Sequence, residues 1–273
     1  MEPEPTDHIR LQVQQHYSAV ARSTDEPCCG PSPCCGGQAA QGTEAGLPSG
    51  AIASARGCGN PLALAELRPG ETVLDLGSGG GLDVLLAAQR VGSSGFVYGL
   101  DANPDMLALA CRNAAEAGVE HVRFLHGDLE RIPLPDKAVD VILSNCVLNL
   151  TPDKPLALSE AFRVLRPGGR LAVTDIVIDP DLAGLPLADV EIRRRLDWAS
   201  CSAGALTRGQ LHSALQAAGF EAIRLEVIYR STPADLALAA GQEWTPLAPE
   251  QASAIAARFV SMGIAAERPL ARR

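Results

Sequence analysis

The feature that most constrains the fold is an alternation, from residue 72 onward, of short apolar runs with amphipathic helical stretches. Continuous apolar strands separated by helices are typical of a parallel sheet that is covered on both faces. The predicted fold class is therefore α/β, with a Rossmann-like, parallel-rich sheet and helices on both faces. The predicted strands are Thr72–Leu76, Phe96–Asp101, 122–125, 139–144 and 170–177, and the helices between them are Leu82–Val91, 104–117 and 154–166.

Simpler patterns flank this core on both sides. Residues 7–22 predict a helix with Ile9, Val13, Tyr17 and Val20 on one face, and residues 23–50 are rich in Gly, Pro, Ser and Cys, which indicates a flexible arm. Residues 178–206 are predicted to be an irregular insertion. A helix from an N-cap at Thr207 to Gly219, a strand at 222–228 and a helix at about 249–262 follow. The predicted division is 1–57 (helix and Cys-rich arm), 58–229 (main domain, with 178–206 capping the substrate) and 230–273 (small C-terminal extension).

Charge and hydropathy exclude several classes of partner. The 23 basic against 32 acidic residues leave a formal charge of −9, which disfavours binding to nucleic-acid phosphates. No apolar run is long enough to span a bilayer, and the acidic, Pro-rich start at Met1 is unlike a signal peptide. We therefore expect a cytoplasmic protein with no membrane partner, and a monomer, since nothing requires an oligomer. In that compartment the eight cysteines are expected to be thiols, metal ligands or catalytic groups and not a disulfide framework.

A glycine-rich loop follows the first predicted strand, with the sequence Asp75-Leu76-Gly77-Ser78-Gly79-Gly80-Gly81. Small residues at this point allow backbone amides to approach a nucleotide-like ligand, although such a loop alone is often only a tight turn. A dinucleotide fingerprint would have glycine at position 82, where this chain has leucine. Asp101 ends the second predicted strand and Asp128 follows the third, where carboxylates could meet a ribose and an adenine amino group.

These residues resemble the class I S-adenosylmethionine-dependent methyltransferases over roughly residues 60–230. The resemblance implies S-adenosyl-L-methionine as cofactor, and Gly77 and Gly79 beside its amino-acid part. It also implies that Asp101 holds the ribose, and that Asp128 and Leu129 lie beside the adenine. The complete predicted cofactor set is Asp75, Gly77, Ser78, Gly79, Asp101, Ala102, Asp128, Leu129 and Asn145.

Three cysteines lie in short contexts around the same edge of the predicted sheet. Cys146 follows the fourth strand, Cys58 precedes the first, and Cys201 is in the insertion. A folded chain could bring the three thiols together at this edge of the sheet, at the opening of the crevice, where soft thiolates would bind a soft, thiophilic centre. The alternative is that each is a small buried hydrophobe, which is our interpretation of Cys111.

The three contexts are similar to the cysteine motifs of arsenite methyltransferases: Gly57-Cys58-Gly59-Asn60-Pro61, Ser144-Asn145-Cys146-Val147-Leu148-Asn149-Leu150 and Cys201-Ser202-Ala203-Gly204-Ala205. This resemblance, over about residues 7–228, implies that Cys146 and Cys201 hold trivalent arsenic with Cys58 as third ligand. It also implies a redox disulfide between Cys58 and an upstream cysteine, for which Cys28, Cys29, Cys34 and Cys35 are all candidates. These four could equally gather arsenite or bind zinc. Adjacent cysteines suit a four-thiolate zinc site poorly, so we expect a mobile thiol arm and no metal site.

The predicted function is methylation of arsenite in arsenic detoxification, with cysteine-bound arsenic attacking the methyl group through its lone pair. The substrates would be arsenite or thiol-bound trivalent arsenicals, and a thiol reductant, thioredoxin or glutathione, would restore the cysteines. Two alternatives stay open. One is a methyltransferase acting on another small molecule, and the other is a non-catalytic, thiol-rich protein that binds arsenic or a metal.

Overall fold

The computed structural model describes residues 5–23, 47–240 and 247–270. Seven strands form one sheet: β1 Thr72–Leu76, β2 Phe96–Asp101, β3 Val122–His126, β4 Val139–Asn145, β5 Leu165–Ile178, β6 Glu221–Arg230 and β7 Phe259–Glu267. The helices are α1 Pro5–Arg22, α2 Ser49–Ser54, α3 Pro61–Ala65, α4 Leu82–Val91, α5 Pro104–Glu116, α6 Lys154–Val164, α7 Asp189–Arg194, α8 Arg208–Ala218, α9 Pro233–Leu238 and α10 Pro249–Ala256.

The strands lie in the order β3-β2-β1-β4-β5-β7-β6. The first five are mutually parallel, whereas β7 is antiparallel to both of its neighbours. The chain reverses direction across the sheet between β1 and β4, so the carboxyl ends of these strands border a crevice of the kind in which open α/β sheets bind ligands. The predicted fold class is confirmed.

Local signals account for most of the helix boundaries. The Asn103 side chain accepts hydrogen bonds from the amides of Asp105 and Met106 and so caps α5, which has proline at its first position. Thr207 caps α8 as predicted, in a reciprocal pair with Gln210, and Gly219 ends the helix with a φ of 101°. The predicted helix at 154–166 is two residues too long, because strand β5 already begins at Leu165.

The C-terminal segment differs most from the sequence prediction. The helix predicted at 249–262 ends at Ala256, and a buried strand, Phe259–Glu267, follows it. This strand inserts between β5 and β6 and pairs with both along its length. A short apolar run fits the pattern of a helix and of a strand equally well. Its conformation is decided by the edges of β5 and β6, which offer backbone hydrogen bonds on both sides. Residues set apart as an extension in the sequence analysis thus complete the central sheet.

Three further features bear on the sequence predictions. The insertion contains α7 and packs its Leu196 and Ala203 against Leu236 and Phe259 of the C-terminal segment. Cys111, interpreted above as buried, is exposed, because the buried face of α5 runs through other positions of the helix. Within the described ranges, no helix combines the length and apolar character needed to cross a bilayer.

Candidate functional site

A cavity of about 300 Å³ opens at the carboxyl ends of β1, β2 and β4. All nine residues of the predicted cofactor set line it, together with Cys146. Side chains from α1, including Val13 and Tyr17, line it as well. The residues selected along the sequence therefore share one cavity.

The glycine loop owes its shape to close approaches that a side chain would prevent. Gly77 has a φ of 67°, and a Cβ atom there would lie 2.4 Å from Cγ2 of Val147. The Gly79 amide donates to Oδ2 of Asp101 at 2.8 Å, and the Asn103 amide donates to Oδ1 of the same carboxylate at 2.8 Å. Asp101 thus joins the loop after β1 to the end of β2 and also faces the cavity.

The cavity has an acidic lining: five carboxyl side chains, of Asp75, Asp83, Asp101, Asp128 and Glu130, outnumber the two guanidinium groups of Arg10 and Arg56. Burial raises the pKa of Asp75, Asp83 and Asp101, and the charges of Asp83 and Asp101 raise that of Asp75 further. A positively charged ligand would relieve this repulsion and keep the carboxylates ionised. The cavity is therefore suited to a ligand that carries a cationic group.

The three predicted arsenic-binding cysteines meet at one side of this cavity. Cys58 and Cys146 form a disulfide with 5.8 Å between their Cα atoms. The Cys201 thiol donates to the carbonyl of Cys146 at 2.9 Å, and the sulfur atoms of Cys146 and Cys201 lie within 4.8 Å of each other and of a carboxylate oxygen of Asp175. Cys146 and Cys201 are buried, and Cys58 is half-buried.

The observed disulfide differs from the one implied by the family resemblance, in which Cys58 pairs with an upstream cysteine. The structure pairs Cys58 with Cys146. The four upstream candidates, Cys28, Cys29, Cys34 and Cys35, lie outside the described residues, and their redox role stays a prediction.

Two of the cysteines sit in an unusual backbone conformation. Cys146 has a φ of 57° and Cys201 a φ of 63°, in the left-handed region that residues other than glycine seldom adopt. Cys146 is held there by the bond from its amide to the Thr174 carbonyl at 2.8 Å, and Cys201 by the bond to the Trp198 carbonyl at 3.2 Å. Backbone strain of this kind clusters at functional sites.

Asn145 connects the cysteine cluster to the cofactor cavity. Its Oδ1 accepts from the Cys58 amide at 3.0 Å and from the Thr174 hydroxyl at 2.9 Å. Its Nδ2 donates to the Gly59 carbonyl at 3.0 Å and to Asp83 at 3.1 Å. The predicted cofactor residue Asn145 therefore also holds the loop that carries Cys58.

A polar group that was not among the predicted site residues lies next to Cys201. Asp175 is buried in β5 and accepts bonds from the Asn149 side chain at 2.9 Å and the Ile176 amide at 2.8 Å. Burial raises its pKa to about 7. Lys154 is nearly buried and its Nζ donates to the carbonyls of Thr151 and Asn149. The sequence signal that could have identified Asp175 is its position as an acidic residue within the otherwise apolar second half of β5.

Comparison with known proteins agrees with this geometry. Residues 67–219 match the family model described as "Methyltransferase domain". The chain belongs to this methyltransferase family. An arsenite methyltransferase of Halobacterium salinarum is 40% identical over 241 residues, which cover 82% of this chain and 59% of that protein. The human arsenite methyltransferase is 35% identical over 174 residues, which cover 60% of this chain and 44% of that protein.

Among solved structures, the arsenic (III) S-adenosylmethionine methyltransferase of Chlamydomonas reinhardtii superposes with a TM-score of 0.62 at 33% identity, covering 80% of this chain and 69% of that one. This chain spans about three fifths of the length of the Halobacterium relative and less than half of the length of the human relative. The resemblance inferred from the cysteine motifs is confirmed, as is the expectation of an S-adenosylmethionine-dependent family.

The residues that line the cavity fit S-adenosylmethionine. The Ser78 hydroxyl is buried beside the loop and has no hydrogen-bond partner in the part of the chain that the structure describes. A buried hydroxyl without a partner at a ligand cavity is expected to bond to the ligand. Gly77 and Gly79, both with positive φ, line the same space, and the acidic lining suits a sulfonium cation.

Proposed function

We propose that the chain catalyses methylation of trivalent arsenic, taken up as arsenite or as a thiol-bound arsenical. The observation that carries the proposal is the convergence of Cys58, Cys146 and Cys201 beside the cavity lined by the predicted cofactor set. The names of the relatives support the substrate assignment.

Cofactor and substrate have separate parts of the site. Asp75, Ser78, Gly79 and Asp101 would hold S-adenosylmethionine, whose sulfonium supplies an electrophilic methyl group when bound. Cys146 borders both parts, since it lines the cavity and contacts the other two cysteines. The thiolates would hold arsenic with its lone pair directed at the cavity, so no group has to remove a proton from the nucleophile. The contribution of the protein is orientation in a dry site.

Arsenic uptake balances without an external base. Each As–OH bond is replaced by an As–S bond, and the thiol proton leaves with the hydroxide as water. Burial, followed by the charge of Asp175, raises the pKa of Cys201, so this cysteine would enter the exchange as a neutral thiol.

A reductant is needed at two points. The Cys58–Cys146 disulfide has to be reduced before both sulfurs can bind arsenic. Methylation also raises arsenic formally to the pentavalent state, and two thiols that form a disulfide supply the two electrons that return it to the trivalent state. Thioredoxin or glutathione is the proposed source of these electrons, and arsenic detoxification is the proposed role.

The test is arsenic speciation by chromatography with elemental mass detection, after incubation with arsenite, S-adenosylmethionine and glutathione. We expect methylated arsenic from the wild type and from Cys111→Ser, whose thiol is exposed and remote in sequence from the three motifs. We expect none above background from Cys146→Ser. Equal methylation by Cys146→Ser would contradict the assignment.

The same samples distinguish the alternative functions. Formation of S-adenosylhomocysteine without methylated arsenic would indicate another small-molecule acceptor. Binding of arsenite and S-adenosylmethionine without S-adenosylhomocysteine would indicate a non-catalytic binding protein.

A further inference from the structure

The C-terminal strand β7 contributes a polar contact to the cysteine cluster. Ser261, the one hydroxyl residue among the eight buried positions of this strand, is 3% exposed. Its hydroxyl donates to the carbonyl of Cys58 at 2.6 Å, across a sequence separation of 203 residues. The cluster is thus supported by a segment for which the sequence motifs give no role.

Cys58 is held at both of its backbone polar groups. Asn145 on β4 accepts from its amide at 3.0 Å, and Ser261 on β7 donates to its carbonyl at 2.6 Å. Helix α3, which begins three residues later, also lies against β7, since a Cβ at Gly263 would be 3.2 Å from Leu64. Cys58, unlike Cys146 and Cys201, does not have a positive φ. Its position relative to the other two cysteines is therefore set by the bonds to Asn145 and Ser261.

The C-terminal segment supports the Cys201 loop in the same way. The Asp197 amide donates to the Ala239 carbonyl at 2.9 Å, and Leu196 forms an isolated bridge with Ala240. The side chains of Leu196 and Ala203 pack with Phe259 in one buried cluster. Two of the three cysteine-bearing segments therefore rest on residues after position 230.

We propose that Ser261 is a positioning residue of the arsenic site, whose hydroxyl holds Cys58 at the distance from Cys146 and Cys201 that a single arsenic atom requires. This inference rests on the proposed function. Two sulfurs without the third would still bind arsenic, but more weakly and in a less defined orientation. The hydroxyl acts through the Cys58 backbone and makes no contact with the reacting atoms.

The test compares Ser261→Ala with Ser261→Thr, which keeps the hydroxyl, and with Ser253→Ala. Ser253 is an exposed residue of the same segment whose hydroxyl, among the described residues, bonds to the Pro249 carbonyl of its own helix. Calorimetric titration of the pre-reduced proteins with arsenite should show about ten-fold weaker binding for Ser261→Ala, the loss expected for one buried hydrogen bond. Threonine should restore the affinity, and Ser253→Ala should match the wild type.

A second titration, with S-adenosylhomocysteine, separates positioning from general damage. Unchanged S-adenosylhomocysteine affinity in Ser261→Ala supports a local role. The proposal is overturned if Ser261→Ala binds arsenite as the wild type does. It is equally overturned if both ligands weaken in parallel with a lowered melting temperature.

A third readout is independent of arsenic. In a glutathione redox buffer, the fraction of Cys58–Cys146 disulfide, measured by peptide mass spectrometry, reports how closely the two sulfurs are held. We expect the equilibrium constant for this disulfide to fall about ten-fold in Ser261→Ala, again the loss of one buried hydrogen bond. If the wild type fails to bind arsenite while this constant still falls, the proposed function is wrong and the positioning of Cys58 by Ser261 stands. An unchanged constant contradicts the positioning.

Discussion

At the scale of single residues, unusual backbone conformations determine where the cysteines and the glycine loop lie at this site. Cys146 and Cys201 both adopt positive φ, and each is held by a bond from its amide to a distant or local carbonyl. Gly77 uses the same region of conformational space to bring the loop after β1 against Val147. These conformations bring Cys146 and Gly77 to the cavity lining and Cys201 beside Cys146, at some cost in local stability.

Gly77→Ala should abolish cofactor binding, because the added methyl group meets Val147 and displaces the loop. Gly118→Ala is the matched control, since Gly118 has a φ of 65° but nothing within 4 Å of the added atom. Both variants should lose about 1–2 kcal/mol in unfolding free energy from the left-handed backbone. Titration with S-adenosylhomocysteine should show a defect only for Gly77→Ala, and a similar affinity in both variants would contradict this account of the loop.

Asp175 should make stability fall as pH rises. Burial raises the pKa of Asp175 from 3.8 to about 7. Between pH 3.8 and about 7, the folded state therefore keeps a proton on Asp175 that the unfolded state has already released. The wild-type free energy of unfolding should therefore decrease from pH 5 to pH 8, and Asp175→Asn should remove roughly 2–3 kcal/mol of that decrease.

Urea unfolding at four pH values in this range measures the effect. The exposed carboxylate of Asp189, in α7, provides the control variant Asp189→Asn, which should follow the wild type. Parallel curves for Asp175→Asn and the wild type would show that Asp175 does not titrate in this window.

At the scale of elements, strand β7 joins parts of the chain that are far apart in sequence. It completes the sheet between β5 and β6, bonds to Cys58 and packs against the insertion that carries Cys201. A strand with buried residues on both faces contributes to stability through each of them. We expect the insertion, which has little regular structure of its own, to depend on this support.

Phe259→Ala should therefore destabilise the protein by about 3–5 kcal/mol, as expected for removing a fully buried aromatic side chain. Phe259 is 2% exposed, whereas Leu238 in the same segment is 55% exposed, so Leu238→Ala should change stability by less than about 0.5 kcal/mol. Denaturant unfolding gives both values. Limited proteolysis of Phe259→Ala should cut first within 182–196, and an unaltered cleavage pattern would show that the insertion is supported elsewhere.

At the scale of the whole molecule, helix α1 lies across the cavity. Arg10 pairs with Glu130 at 3.2 Å, Arg22 pairs with Asp105 at 2.8 Å, and the Asn103 side chain donates to the Gln14 carbonyl at 3.0 Å. The Arg22–Asp105 pair is solvent-exposed and adds little stability, whereas the Glu130 side chain of the other pair is 9% exposed. The apolar face of α1, which includes Val13 and Tyr17, borders the cavity. A ligand in the cavity would add contacts to that face.

Binding of S-adenosylhomocysteine should slow amide hydrogen exchange in α1 and in the loop after β1. At a ligand concentration of 100 times the dissociation constant, openings that require ligand release are suppressed by about 2.7 kcal/mol, or about a hundred-fold. Strand β6, at the sheet edge away from the cavity, should show no slowing beyond that of global unfolding and serves as the internal control. Equal exchange in α1 with and without ligand would show that the helix does not cover the bound ligand.

The sequence alone determined the parallel core, the glycine loop and the three cysteine motifs. Each of these depends on periodicity or on neighbouring residues, which can be read locally: the strands alternate with helices, and Gly77 follows the end of β1. Tertiary structure decided the strand conformation of Phe259–Glu267, the approach of Cys58 to Cys146, and the contacts made by Asp175 and Ser261. The run at 259–267 becomes a strand because β5 and β6 both offer it backbone hydrogen bonds, and a buried hydroxyl or carboxyl acquires its partner only when distant segments meet.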